Sequence, residues 1–243
     1  DTTTGEITSV NANDAQKSLI PRGQTLTDYT VVIAKGNNQG LITAGDSYNI
    51  ADITINPIIN NNSFDIEFIA YSDKDTIFNP TSHSYFNLGS DKTILNHDLQ
   101  INSDKILEIN KNCIPTENIL EINDGPFDFK NFKSIGKDIR KNDIQLEFGS
   151  GYDHNFILNS NEKFAAILLD KNSGRRLKIK TDQPGMQLYT GNSLGENFIK
   201  NGGVCLETQH YPNTPNCDKF PSVILLKNKK YYTKTSYHFD TIE

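Results

Sequence analysis

The chain has 243 residues, of which 24 are Lys or Arg and 30 are Asp or Glu, so its formal charge is -6. These charges are spread along the chain, which disfavours nucleic-acid phosphates and anionic membrane surfaces as partners. No apolar run approaches the roughly 20 residues that a membrane-spanning helix requires. We therefore expect one domain over residues 1–243, with an uncharged small molecule as its partner.

The three cysteines, Cys113, Cys205 and Cys217, match neither a CxxC pair nor a zinc-ligand spacing. An odd number of this kind also disfavours a disulfide framework and indicates a reducing compartment. We therefore expect no metal site and a cytoplasmic location. Secretion stays open, because removal of a signal peptide would be one reason for a start at Asp1.

Short segments of alternating apolar and polar residues, separated by turn residues, recur along the chain. The predicted strands are, in chain order, residues 6–10, 26–33, 40–43, 50–59, 64–70, 99–101, 164–169, 177–179, the surroundings of Leu188, 204–209 and 223–226. Only residues 134–143 are predicted as a short helical turn. Without a sustained 3.6-residue period, the pattern indicates an all-β sandwich or barrel.

The stretch at residues 79–88 reads Asn-Pro-Thr-Ser-His-Ser-Tyr-Phe-Asn-Leu. It places His83 between a proline-marked break and an aromatic run that is typical of a packed element. Such a histidine suits a proton donor in a cleft. It equally suits a buried histidine that donates to a backbone carbonyl, so both interpretations stay open.

Two further stretches combine a turn with polar side chains. Residues 151–156 place Asp153 and His154 side by side, and because neighbours on a strand face opposite ways, only one of them can line a given cleft. Residues 182–192 turn at a Pro-Gly pair and present Gln187, whose amide can both donate to and accept from a hydroxyl. Loop closure and a plain surface turn are the structural alternatives.

The fourth stretch, residues 204–210, reads as a strand that places Glu207 on the face opposite Leu206 and Thr208. A carboxylate within an apolar strand is costly to bury unless it is paired or used. The sequence contains no phosphate-binding loop, GxGxxG or HExxH pattern. One histidine and one glutamate thus remain as a candidate acid and base.

Together, the four stretches resemble those of the aldose 1-epimerase (galactose mutarotase) family in content, order and separation, and the similarity covers about residues 50–243. The resemblance implies a large antiparallel β-sandwich and interconversion of the α and β anomers of a free hexose such as galactose or glucose. It also implies a monomer or homodimer that needs no metal, nucleotide or covalent intermediate.

The resemblance also implies a role for each residue. Glu207 would be the general base that takes the proton of the C1 hydroxyl, and His83 the general acid that protonates the ring oxygen. Asp153 and Gln187 would bind sugar hydroxyls. Aromatic residues of the first stretch would contact the sugar or belong to the core.

The sequence departs from the family pattern in its amino-terminal part. The family has a long region there that supplies a sugar-binding arginine and a second histidine in a His-Gly-Gly motif. In this chain Arg22 is the only arginine before Arg140, and His83 is the first histidine. We therefore expect a shortened amino-terminal part, with an internal deletion between about Tyr48 and Ile53.

The departure leaves a second hypothesis open, a catalytically impaired mutarotase-like module that binds carbohydrate or another partner. Loss of substrate contacts can reduce the rate by orders of magnitude, because the substrate is then misplaced. Epimerisation of a phosphorylated sugar is a third option. It is disfavoured because no basic cluster lies near the four stretches.

Overall fold

The structure is a computed structural model that describes residues 52–60, 62–160, 163–195 and 198–242. The strands predicted at residues 6–10, 26–33 and 40–43 lie outside the described residues. The segment around Tyr48, where the deletion is expected, lies outside them as well. None of the described helices is both long and apolar enough to cross a membrane.

Strands dominate the described part of the chain. They are β1 (Asp52–Asn60), β2 (Ser63–Tyr71), β3 (Thr76–Ile77), β4 (Tyr85–Phe86), β5 (Asp98–Ile101), β6 (Ser103–Ile109), β7 (Pro115–Glu121), β8 (Lys133–Ser134), β9 (Asp153–Leu158), β10 (Ala166–Leu169), β11 (Arg175–Thr181), β12 (Gly185–Tyr189), β13 (Val204–Gln209), β14 (Ile224–Leu225) and β15 (Tyr231–Thr241). A 3-10 helix covers Ile135–Lys137, another covers Thr214–Asn216, and one α-helix, α1, covers Ile144–Gly149.

These strands pair antiparallel throughout the described residues and form two large sheets and a small one. The seven-stranded sheet has the order β1-β2-β15-β11-β10-β5-β8, the six-stranded sheet has the order β4-β13-β12-β9-β6-β7, and β14 pairs with β3. One apolar cluster contains residues of both large sheets, including Leu168 and Leu177 of the first and Leu188 and Leu206 of the second. The predicted antiparallel β-sandwich is therefore confirmed.

Several predicted elements are confirmed individually. The hairpin is formed by β1 and β2, with Asn60 opposite Ser63 at its turn. The predicted strand at residues 204–209 is β13, and the strand predicted at residues 223–226 is the shorter β14.

The helix prediction is partly wrong. Residues 134–143 contain only the 3-10 turn, whereas α1 begins directly after them. The Asp143 side chain accepts hydrogen bonds from the backbone N–H groups of Gln145 and Leu146, which satisfies two free donors at the start of α1. The Gln145 amide then bonds both backbone groups of Ile109, so α1 is attached to β6. The chain leaves α1 immediately before β9, which carries Asp153.

Candidate active site

The six-stranded sheet has one apolar face and one polar face. Tyr189 lies opposite both Asp153 and Cys205 in register, and Gln187 lies opposite Glu207. Because side chains alternate along a strand, these residues share the face that points away from the core. Residues at the intervening positions, such as Leu188 and Leu206, belong to the core cluster. Alternation thus gathers the polar side chains of three strands at one place.

The segment before β4 brings His83 to this face. The Asn79 side chain donates to the carbonyl of His210 and accepts from its N–H, and the Thr81 hydroxyl donates to the carbonyl of Thr208. These bonds attach residues 79–81 to the end of β13 and to His210 just after it, although residues 79–81 form no strand themselves. His83 Nε2 consequently lies 3.4 Å from Glu207 Oε1. The interpretation of His83 as a cleft residue is favoured, because its side chain is 53% exposed.

Glu207 is the buried member of this pair, with its side chain only 10% exposed. Burial raises the pKa of Glu207 from 4.5 to about 8, and the nearby Asp153 carboxylate adds to the increase. The carboxyl group can therefore accept and release a proton near neutral pH. Glu207 was predicted to lie on the face of β13 opposite to that of Leu206 and Thr208. This is confirmed, since the Thr208 hydroxyl lies 2.6 Å from the Thr235 hydroxyl of the other large sheet.

Asp153 and Gln187 form a second polar pair beside the first. Gln187 Nε2 donates to Asp153 Oδ1 at 2.7 Å. Burial raises the pKa of Asp153, and both the Gln187 hydrogen bond and the positive potential of His83 oppose that increase. Gln187 Oε1 is buried and accepts no hydrogen bond from any described residue. An acceptor of this kind is available for a ligand hydroxyl.

The neighbouring residue His154 has a different environment. Its ring is fully buried, lies 4.6 Å from the Phe127 ring, and has its pKa lowered to about 3 by burial. The prediction that Asp153 and His154 face opposite ways is therefore confirmed: Asp153 lies on the face of Gln187, and His154 lies on the core side with Leu188.

A set of buried hydrogen bonds joins the loop before Asp153 to the end of β12. Asn192 Nδ2 donates to the carbonyls of Gly149 and Tyr152, and Asn192 Oδ1 accepts from the Thr190 hydroxyl. Gly151 lies within this loop at a φ of 134°, and a Cβ there would lie 2.5 Å from Asn192 Oδ1. Glycine is therefore required for the two strands to approach closely.

Sequence reasoning missed Cys205 and Tyr189 and left Tyr85 open as a site residue or a core residue. Cys205 Sγ lies 3.4 Å from His83 Nδ1, and the rings of Tyr85 and Tyr189 lie 5.1 and 6.0 Å from the His83 ring. Of the two aromatic residues left open at residues 85 and 86, Tyr85 borders the site, whereas Phe86 packs against the core. Alternation along β13 predicts that Cys205 and Glu207 share one face. Tyr189 can be assigned to the site only once the pairing of β12 with β9 and β13 is known.

Asn155 is also on the polar face, opposite Gln187. It is almost fully buried, and neither its Oδ1 nor its Nδ2 has a hydrogen-bond partner among the described residues. A Cβ on Gly185 would lie 2.6 Å from Asn155 Oδ1, so the absence of a side chain at Gly185 makes room for the amide.

As a whole, the site contains the pair of His83 and Glu207 next to the pair of Asp153 and Gln187, with aromatic rings at one side. Comparison with known proteins identifies the family of the chain. A family model described as aldose 1-epimerase matches residues 51–238. The chain belongs to the aldose 1-epimerase family. The matched range includes all four motif stretches.

Individual aldose 1-epimerase relatives support the assignment. The chain is 36% identical over 186 residues to a galactose mutarotase of Sus scrofa, a match that covers 72% of this chain and 53% of the relative. It is 35% identical over 193 residues to an aldose 1-epimerase of Haemophilus influenzae, covering 73% and 56%. The chain thus spans about half the length of the curated relatives that it matches.

Solved structures show the same fold. A galactose 1-epimerase of Lactobacillus acidophilus NCFM aligns with a TM-score of 0.70 and 31% identity over 82% of this chain and 61% of that chain. A GalM/aldose epimerase homologue of C. elegans aligns with a TM-score of 0.69 and 25% identity over 79% and 60%.

Proposed function

We propose that this chain is an aldose 1-epimerase that interconverts the α and β anomers of a free hexose such as galactose or glucose. The observation that carries the proposal is the distance of 3.4 Å between His83 Nε2 and Glu207 Oε1. The Glu207 carboxyl group in this pair has its pKa raised to about 8 by burial. The names of the relatives support it, since those proteins are called galactose mutarotase and aldose 1-epimerase.

In the proposed mechanism the pair moves two protons in each ring opening. The Glu207 carboxylate takes the proton of the C1 hydroxyl, the bond between C1 and the ring oxygen breaks, and the protonated His83 gives its proton to that oxygen. The resulting aldehyde rotates about the bond between C1 and C2. On closure His83 takes back the proton of the attacking hydroxyl, and Glu207 returns a proton to the carbonyl oxygen, so the other anomer leaves with both groups restored.

Asp153 and Gln187 would hold the sugar by its hydroxyl groups. Their mutual hydrogen bond fixes the amide with Oε1 buried and free of described partners. One hydroxyl can then donate to Gln187 Oε1 while another donates to the Asp153 carboxylate. Fixing the sugar in this way keeps C1 and the ring oxygen at the proton-transfer pair.

We also propose a cytoplasmic location and a monomeric or homodimeric state. Cys113, Cys205 and Cys217 are all free thiols, which is typical of a reducing compartment. The impaired carbohydrate-binding alternative gains no support from the described residues, because the residues proposed as acid, base and hydroxyl ligands lie next to one another.

Polarimetry tests the proposal. Fresh α-D-galactose and α-D-glucose change their optical rotation slowly in buffer, and the folded chain is expected to accelerate that change in proportion to its concentration. Saturable sugar binding by calorimetry, with a rotation change no faster than in buffer, would instead support the noncatalytic module. The ratio of the two rates would identify the preferred hexose.

A further inference from the structure

Cys205 lies directly beside the proton-transfer pair but has no part in the proposed reaction. Its Sγ is 3.4 Å from His83 Nδ1, the ring nitrogen on the other side from the one that faces Glu207. One donor atom from each of these three residues, a nitrogen, a sulfur and an oxygen, lies within 4.8 Å of the other two.

The spacing is close to that of a metal site. Zinc bonds of about 2.0–2.3 Å in a tetrahedral arrangement place ligand atoms about 3.3–3.8 Å apart. The largest adjustment needed, from 4.8 Å to about 3.8 Å, is thus about 1 Å. Rotation of the half-exposed His83 ring can supply much of this 1 Å adjustment, because it turns one ring nitrogen toward both the sulfur and the carboxylate. Cys205 and Glu207 already share one face of β13.

The type of donors selects the cation. Imidazole, thiolate and carboxylate together match Zn²⁺ and related thiophilic ions, whereas Mg²⁺ and Ca²⁺ prefer oxygen ligands. Burial and the neighbouring carboxylates raise the pKa of the Cys205 thiol and of Glu207, so the cation would displace a proton from each group as it binds, and the Asp153 carboxylate adds negative charge beside it. The exposed side of His83 leaves a path for the ion from solvent.

We infer that His83, Cys205 and Glu207 form a binding site for a thiophilic divalent cation such as Zn²⁺, and that the bound ion inhibits the protein. The ion would occupy the imidazole and the carboxylate at once, so neither could transfer a proton. It would also compete with a sugar for the same cleft. The cation is an inhibitor here, since the proposed reaction itself needs none.

Direct binding tests this inference without any sugar. The full chain is titrated with Co²⁺, a spectroscopic substitute for Zn²⁺, and one equivalent is expected to give thiolate-to-cobalt charge-transfer absorption that Zn²⁺ then abolishes. Cys205→Ser should lose this absorption, whereas Cys113→Ser, a change at the exposed thiol, should keep it. His83→Ala, which alters a half-exposed side chain and no thiol, should weaken binding by about 10- to 100-fold or more.

Activity gives the second measurement. Stoichiometric Zn²⁺ should reduce the rate of rotation change at least tenfold and a chelator should restore it, with each variant compared to its own metal-free rate. Absence of the thiolate absorption in the folded wild-type chain, or binding that is unchanged in Cys205→Ser and His83→Ala, would reject the site. An active chain without metal binding rejects only this inference. Metal binding by a chain that is inactive without metal rejects the proposed function, and with it the inhibition, but retains the cation site.

Discussion

At the scale of single residues, the burial of Glu207 lowers stability but suits its proposed role in proton transfer. A carboxyl group with its pKa raised to about 8 is more easily protonated in the folded chain than in the unfolded chain, where the value is 4.5. The folded state therefore binds more protons between these two pKa values, and its stability falls as the pH rises from about 4.5 through 8. Glu207 interacts electrostatically with five neighbouring groups among the described residues, namely His83, Asp153, Cys205, Tyr85 and Tyr237.

Replacement of Glu207 by Gln should remove this loss of stability. In chelator-treated samples, the unfolding free energy of Glu207→Gln is expected to exceed that of the wild type at pH 9 by a few kcal/mol more than at pH 4. Urea denaturation at a series of pH values measures the difference. A difference that stays constant with pH would show that Glu207 has an ordinary pKa.

The hydrogen bond between Gln187 and Asp153 leads to a kinetic prediction. Gln187→Leu removes the only described side-chain donor to Asp153 and also the free acceptor Oε1. Because both effects concern substrate binding, KM is expected to rise by about 10- to 100-fold, with a smaller change in kcat. Gln100→Leu is the matched control, since the Gln100 amide bonds the exposed carbonyl of Lys130 far from the site. Equal KM values for the two variants would exclude Gln187 from sugar binding.

The four candidate residues, His83, Asp153, Gln187 and Glu207, could be proposed from the sequence because each belongs to a recognisable local motif. Tyr189 and Asn155 could not, because their membership of the site depends on the antiparallel register of β9, β12 and β13. Register is a long-range property, and a shift of one residue would move every side chain to the other face.

At the scale of elements, the loop between α1 and β9 determines where Asp153 lies. Gly151 adopts a φ of 134°, a backbone angle that residues other than glycine rarely adopt, and it packs against Asn192. The bonds of Asn192 to Gly149 and Tyr152 then fix the start of β9 against the end of β12. The turn and the amide thus work together to place Asp153 next to Gln187.

Gly151→Ala should therefore weaken the fold and displace Asp153. We expect a loss of about 1–3 kcal/mol in unfolding free energy, from backbone strain and from contact with Asn192. Gly195→Ala is the control, because a Cβ there meets nothing within 4 Å. Thermal unfolding compares the two, and similar midpoints would contradict the role assigned to Gly151.

The strand β13 was predicted because its alternation is apolar, whereas β15 was missed because its alternation is partly polar. β13 alternates Val204 and Leu206 with other residues, but the core-facing side of β15 includes Thr233 and Thr235, whose burial is not evident from residue type. α1 escaped prediction because six residues are too few for a helical period to show, although Asp143 supplied a capping signal.

At the scale of the whole molecule, aromatic rings connect the two large sheets. Tyr237 of β15 is almost fully buried, stacks on Phe64 of β2 at 4.7 Å and lies 5.7 Å from Phe86 of β4. Phe86 directly follows Tyr85, which borders the site. The packing of the core therefore fixes the short strand that follows His83.

Tyr237→Ala should destabilise the fold by about 3–5 kcal/mol, as expected for removal of a large buried ring. Tyr232→Ala, at an exposed position of the same strand, should change the unfolding free energy by only about 0.5 kcal/mol. Chemical denaturation distinguishes the two variants. Equal effects would mean that Tyr237 does not join the sheets.

The central claim is that the His83 and Glu207 pair interconverts hexose anomers within a chain that spans about half the length of its matched relatives. Exchange between the α and β anomeric protons of galactose at equilibrium, measured by NMR magnetisation transfer, tests it most directly. The account predicts that the wild-type chain accelerates exchange above the buffer rate and that Glu207→Gln lowers the protein-dependent rate by about 100-fold or more. A folded wild-type chain that leaves exchange at the buffer rate, or a Glu207→Gln variant as fast as the wild type, would contradict it.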